Sequence, residues 1–97
     1  MSKETGEKAV HIIVHGDVQG VGFRYFTLRT AQALRLVGWV KNRSDGAVEI
    51  WAEGPERLLK QLLSAVRAGP DGGFVSHVDV QWTAPTTKFR NFLIRYL

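Results

Sequence analysis

The chain has 97 residues, of which 44% are hydrophobic and 23% charged, a balance that suits one small domain around a single core. It contains no cysteine, which excludes disulfides, a thiolate nucleophile and cysteine metal sites. The net charge of +4 favours an anionic partner, while the spread of basic residues along the chain argues against a dedicated nucleic-acid stripe.

Residues 1–8 are polar and read as a flexible tail ahead of one domain over 9–97. No signal-peptide pattern or membrane-length apolar run appears, so the expected location is the cytoplasm. Ala9 to His15 alternates as a strand, with Val10, Ile12 and Val14 on one face and His11, Ile13 and His15 on the other. Gly16 to Arg24 follows as Gly-Asp-Val-Gln-Gly-Val-Gly-Phe-Arg, and Gly22 to Leu36 has helical spacing, with Phe23, Phe26, Thr30, Ala31 and Leu34 on one face. Val37–Asn42 and Ala47–Glu53 are strands, and Arg43-Ser44-Asp45-Gly46 is the hairpin between them. Gly54-Pro55-Glu56 opens a second helix, with Pro55 suited to its first position; Leu58, Leu59, Leu62, Leu63 and Val66 form its apolar stripe, and Gly69-Pro70 stops it. Phe74–Thr83 alternates as a fourth strand, Ala84–Arg90 is a polar connection, and Phe92, Ile94 and Tyr96 form a short last strand.

The order is β-α-β-β-α-β with one extra strand. Two one-faced helices belong on one side of a sheet, so the expected architecture is a ferredoxin-like α/β two-layer sandwich with a mainly antiparallel sheet. That fold hosts many functions, and the function has to be read from its residues.

The turn from Gly16 to Arg24 is the first candidate. A helix start leaves unpaired N–H groups and a partial positive charge, and glycines let the backbone curl closely round an anion. Arg24, in the first helical turn, could fold its guanidinium over the same anion. The plainer reading is a glycine-bearing strand-to-helix turn with a surface arginine. Asn42, at the end of the second strand, is the second candidate. It either starts the hairpin or, lying near the first turn in space, accepts a hydrogen bond from a water and aims it at phosphorus.

Taken together, these segments resemble the acylphosphatase family. Gly16-Asp17-Val18-Gln19-Gly20-Val21-Gly22-Phe23-Arg24 resembles its first signature. Gly38-Trp39-Val40-Lys41-Asn42, with Gly46, Val48 and Gly54, resembles its second. The likeness covers nearly the whole chain, including Gly69-Pro70 and the closing Phe92-Leu93-Ile94-Arg95-Tyr96. It implies hydrolysis of a carboxyl–phosphate mixed anhydride to a carboxylate and inorganic phosphate. By resemblance, Arg24 and Asn42 are catalytic, the backbone of Gly16, Asp17, Val18, Gln19, Gly20, Val21, Gly22 and Phe23 cradles the phosphate, and no metal or organic cofactor is required. A free-standing monomer is expected, although the same domain occurs inside larger maturation enzymes that handle carbamoyl phosphate. No nucleic acid or membrane partner is expected.

The chemistry agrees with the residues. Phosphoryl transfer depends on positioning and charge stabilisation, and a carboxylate leaves without a strong general acid. Asp17 departs from the family pattern, in which this position is often basic; it is expected to face solvent or pair with a cation. Arg43 and Ser44 also differ from common hairpin sequences, and Asp71 replaces a frequent second proline.

Other polar residues carry weaker signals. His11 and His15, four apart on one strand, do not make a metal-ligand spacing, and these two and His77 read as surface or hydrogen-bonded histidines. Asp71, Asp79, Glu49 and Glu53 offer no convincing catalytic dyad. Trp39, Trp51 and Trp82 read as core or half-covered sheet positions, or as stacking platforms for bases. The rival readings are an RNA-binding module or a non-catalytic anion-binding module of the same fold. The third strand, with one aromatic and two acids, makes a poor RNA surface.

Overall fold

Strand alternation sorts the side chains into a buried and an open face. In the computed structural model, which describes residues 6–96, the elements are β1 (Glu7–Asp17), α1 (Phe23–Ala33), β2 (Val37–Asn42), β3 (Val48–Pro55), α2 (Glu56–Ala68), β4 (Phe74–Thr83) and β5 (Phe92–Arg95). The strands form one sheet in the order β4-β1-β3-β2-β5. Every pairing is antiparallel except β2 with β5, so the architecture is ferredoxin-like with a C-terminal strand added at one edge. Val10, Ile12 and Val14 of β1, Val48, Ile50 and Ala52 of β3, Val40 of β2 and Phe92 of β5 are buried against the two helices.

The helices are held by narrower stripes than the sequence spacing indicates. In α1 the buried residues are Phe23, Thr27 and Ala31, whereas Phe26 and Thr30 are half-buried. Thr27 is polar yet fully buried because its hydroxyl donates to the Phe23 carbonyl at 2.9 Å, which satisfies it inside the helix. In α2, Leu59, Leu62 and Val66 are buried, with Leu58 and Leu63 packed beside them. Pro55 caps this helix in extended conformation and does not occupy its first turn, because β3 runs through to it. Glu56 then sits in the first turn and Arg67 in the last, each favoured by the helix dipole. The helix stops at Gly69, whose amide donates to the Ala65 carbonyl.

Strand β1 is longer than the alternation indicates. It takes in Glu7 and Lys8, which pair with Pro55 and Gly54 of β3 and so are strand residues, contrary to the expected tail; of the rest of that tail, Gly6 precedes the strand and residues 1–5 lie outside the described residues. At its other end β1 includes Gly16 and Asp17, paired with Val75 and Phe74 after a register shift at His15/Gly16.

The connection from β4 to β5 crosses from one sheet edge to the other and is anchored at Glu53. This carboxylate, only 3% exposed, accepts from the Thr86 and Thr87 amides at 3.0 Å each, the Thr86 hydroxyl at 2.6 Å and Trp51 Nε1 at 2.7 Å. Burial alone would push its pKa up, but these hydrogen bonds outweigh burial and hold it below its ordinary value of 4.5. The connection delivers β5, and with it one wall of the site described next. No described helix is long and apolar enough to cross a membrane.

Candidate active site

The start of α1 and the end of β2 meet in a cleft of about 220 Å³, lined by Gly20, Gly22, Arg24, Asn42, Ile94 and Tyr96 together with Val18, Phe23 and Tyr25. Gly22 is the N-cap of α1, at φ 76° and ψ 20°, a left-handed conformation that costs other residues strain. The first intrahelical bond runs from the Phe26 amide to the Gly22 carbonyl, so the amides of Phe23, Arg24 and Tyr25 have no partner within the helix. Among the described residues, the amides of Gln19 to Gly22 make no loop or cap hydrogen bond to a backbone carbonyl. This stretch therefore offers N–H donors and the positive end of α1 to an anion.

The guanidinium of Arg24 lies over the ring of Tyr96, 5.0 Å from its centroid, a cation–π contact that fixes the side chain at the cleft while leaving its in-plane donors available. Facing it is Asn42, held by pairing of β2 with Val48 of β3. The Asn42 Oδ1 atom is buried and has no hydrogen-bond partner among the described residues. A buried amide oxygen without a partner is costly. On a residue that lines the cleft, such an oxygen is an acceptor suited to a water.

Arg24 and Asn42 line one cleft with Val18, Gly20, Gly22 and Phe23, whereas Gly16, Asp17, Gln19 and Val21 of the first motif are not part of its lining. Gly16 belongs to β1 and passes so close to β4 that a Cβ there would lie 2.1 Å from the Phe74 carbonyl oxygen. Its glycine is required by strand packing. Asp17 is the last residue of β1 and is exposed. Val21 is half-buried against the core.

Gln19 acts through its side chain. Its Nε2 donates to the carbonyls of Arg43 and Ala47, at 2.8 and 2.9 Å, which ties the turn to the β2–β3 hairpin directly after Asn42. The hairpin is itself closed by Arg43 N–H to Ala47 C=O at 2.8 Å and by the Asp45 carboxylate, which accepts from the Ala47 amide and pairs with Arg43. These same contacts hold the Asp45 carboxyl below its ordinary range. Neither the Gln19 bridge nor the Tyr96 contact was legible in the sequence. Both join segments far apart in the chain, and only the strand order β3-β2-β5 places them together.

The remaining features lie elsewhere. A wider groove of about 650 Å³ runs between the helices past Phe26, Arg29, Thr30 and Gln61, but Arg29 is the single cation in its lining. On the open face of the sheet, Trp39 and Trp51 are half-buried. Trp39 is covered by Arg95, 4.9 Å from its centroid, and Glu49 sits beside the pair, bonded to His11 at 2.6 Å. A carboxylate in that position disfavours a nucleic-acid backbone.

Comparison with known proteins agrees with this geometry. Residues 10–94 match the model of the family described as Acylphosphatase. The chain is 48% identical over 93 residues to an acylphosphatase of Salinibacter ruber, covering 95% of this chain and 98% of the relative. Its fold is similar to that of the crystal structure of acylphosphatase from Bacillus subtilis, with a TM-score of 0.89 and 45% identity over 92% of this chain and 99% of that one. It also resembles part of HypF from T. kodakarensis, with a TM-score of 0.79 and 34% identity, covering 91% of this chain and 12% of HypF.

Proposed function

The chain belongs to the acylphosphatase family and is an acylphosphatase, and from that premise we propose how its residues divide the hydrolysis of an acyl phosphate. The turn amides at Gly20 and Gly22, the first amides of α1 and the Arg24 guanidinium bind the phosphoryl oxygens. Arg24 meets them with paired donors of fixed geometry. Asn42 Oδ1 accepts a hydrogen bond from a water and holds it in line with the bond to be broken. The water oxygen forms a bond to phosphorus as the bond from phosphorus to the carboxylate oxygen breaks. The electron pair leaves with the carboxylate, and the water proton passes to a phosphoryl oxygen, giving inorganic phosphate. Charge shifts across the phosphoryl oxygens in the transition state, where preorganised donors in a small cleft are most effective.

The observation that carries this reading is the unpartnered, buried Oδ1 of Asn42, a residue that lines the same cleft as Arg24. A site that only bound anions would need the donors and would have no use for a buried acceptor opposite them. The reading extends to a monomer acting in the cytoplasm. Its test is the hydrolysis of acetyl phosphate by wild type and Arg24→Ala. Loss of the guanidinium lowers kcat/KM by a factor of about a hundred or more. A wild-type rate in a folded Arg24→Ala variant refutes the assignment.

A further inference from the structure

The outer end of the β1–β4 ladder brings together three metal-ligating side chains that the hydrolytic site does not use. His15 and His77 are direct cross-strand partners. Asp79, two residues beyond His77, projects from the same face and pairs with Ile13, diagonally across from His15. His15 Nε2 lies 2.9 Å from Asp79 Oδ2, and His77 Nε2 lies 4.0 Å from the same oxygen. The potential ligand atoms of all three residues lie within 4.8 Å of one another. None of the three lines the cleft of Arg24 and Asn42.

We propose that His15, His77 and Asp79 form a surface binding site for a late first-row divalent cation such as Zn²⁺. Bonds of about 2.0–2.1 Å in a tetrahedral site put neighbouring ligand atoms roughly 3.3–3.4 Å apart. The two Nε2–Oδ2 separations of 2.9 and 4.0 Å bracket that spacing, so the side chains can meet the ion without backbone movement. The imidazole rings are stacked, with centroids 4.1 Å apart and planes 7° from parallel, and they must splay for both lone pairs to aim at one point. They have room to do so, since the side chains of His77 and Asp79 are 61% and 64% exposed and that of His15 is 32% exposed. The same openness gives the ion an entry path and leaves a fourth position for water. Two imidazoles and one carboxylate suit zinc, nickel or copper better than magnesium or calcium, which prefer oxygen. A cation here would tie β1 to β4 beside the register shift at His15/Gly16, where the ladder is least regular.

The test is calorimetric titration of the full-length, untagged protein with ZnCl₂ at neutral pH, alongside the variants His77→Ala, Asp79→Asn and His11→Ala. Wild type is expected to take up one equivalent with a dissociation constant of tens of micromolar or below, and His77→Ala and Asp79→Asn each weaken binding about tenfold or more. His11, which bonds to Glu49 outside the cluster, serves as the control, and His11→Ala binds as wild type does. Acetyl phosphate turnover at the wild-type rate shows that each variant is folded. The proposal is overturned if wild type shows no saturable one-to-one binding, if both cluster variants bind as tightly as wild type, or if His11→Ala weakens binding as much as they do.

Discussion

Replacing Glu53 by Gln probes the anchor beneath the β4–β5 connection. The carboxylate accepts four hydrogen bonds, two on each oxygen, while 3% exposed. A glutamine keeps one acceptor oxygen and turns the other position into a donor. If its oxygen stays with the Thr86 and Thr87 amides, its NH₂ faces Trp51 Nε1–H, which cannot accept, and the Thr86 hydroxyl, which can rotate to do so. At least one buried donor then loses its partner and the others lose a charged acceptor. With charged hydrogen bonds contributing about 1.5–3 kcal/mol each, Glu53→Gln is expected to lower stability by roughly 2–4 kcal/mol at pH 7. Urea unfolding of both proteins measures this as a shift in midpoint at constant slope. The deficit also depends on pH. The Glu53 carboxyl sits below its ordinary 4.5 in the folded state, so it binds its proton less readily folded than unfolded. The stability it contributes is therefore complete above 4.5 and is lost as pH falls through the lower, folded value. The two proteins should converge in stability across that acid window. A deficit under about 1 kcal/mol at pH 7, or one that persists unchanged in acid, refutes the anchoring role.

Three further outcomes follow from the site. Gln19→Ala cuts the bridge from the turn to the hairpin and lowers kcat/KM for acetyl phosphate by about tenfold, because Arg24 and Asn42 lose their mutual alignment; steady-state kinetics would show it. Arg24→Lys keeps the charge but loses the planar fork, so it restores less than about a tenth of the wild-type kcat, whereas a role for charge alone would restore most of it. Asp17→Lys exchanges an exposed carboxylate next to the turn for a cation. It lowers KM with kcat unchanged at low salt, and the difference disappears at about 0.5 M salt; a KM that does not move would show that Asp17 is too far away to matter.

The fold was readable where side chains alternate and the turns are chemically marked. The bounds of β2 and the Arg43–Gly46 hairpin follow from such signals, and so does the place of Arg24 and Asn42 at neighbouring strand and helix ends. Where pairing outlasts the hydrophobic pattern, the sequence falls silent. Glu7, Lys8, Gly16 and Asp17 extend β1 because β3 and β4 continue beside them, not because of their own propensity. The stripe of α1 was displaced by Thr27, a polar residue that hides its hydroxyl on a backbone carbonyl. Contacts that span the sheet were invisible: Gln19 reaches carbonyls 24 and 28 positions away, Glu53 bonds residues 33 and 34 positions away, and His15 meets Asp79 64 positions away. The spacing of His11 and His15 along one strand gave no metal pattern. The pairing of His15 with His77 depends on the register of two strands.

The division of labour between Arg24 and Asn42 is tested most directly by Asn42→Ala, assayed on acetyl phosphate with inorganic phosphate as competitive inhibitor. If Asn42 aims the water and the turn holds the phosphoryl group, kcat falls about a hundredfold while the inhibition constant for phosphate stays within about twofold of wild type. An unchanged kcat, or a parallel loss of rate and phosphate affinity, would contradict it.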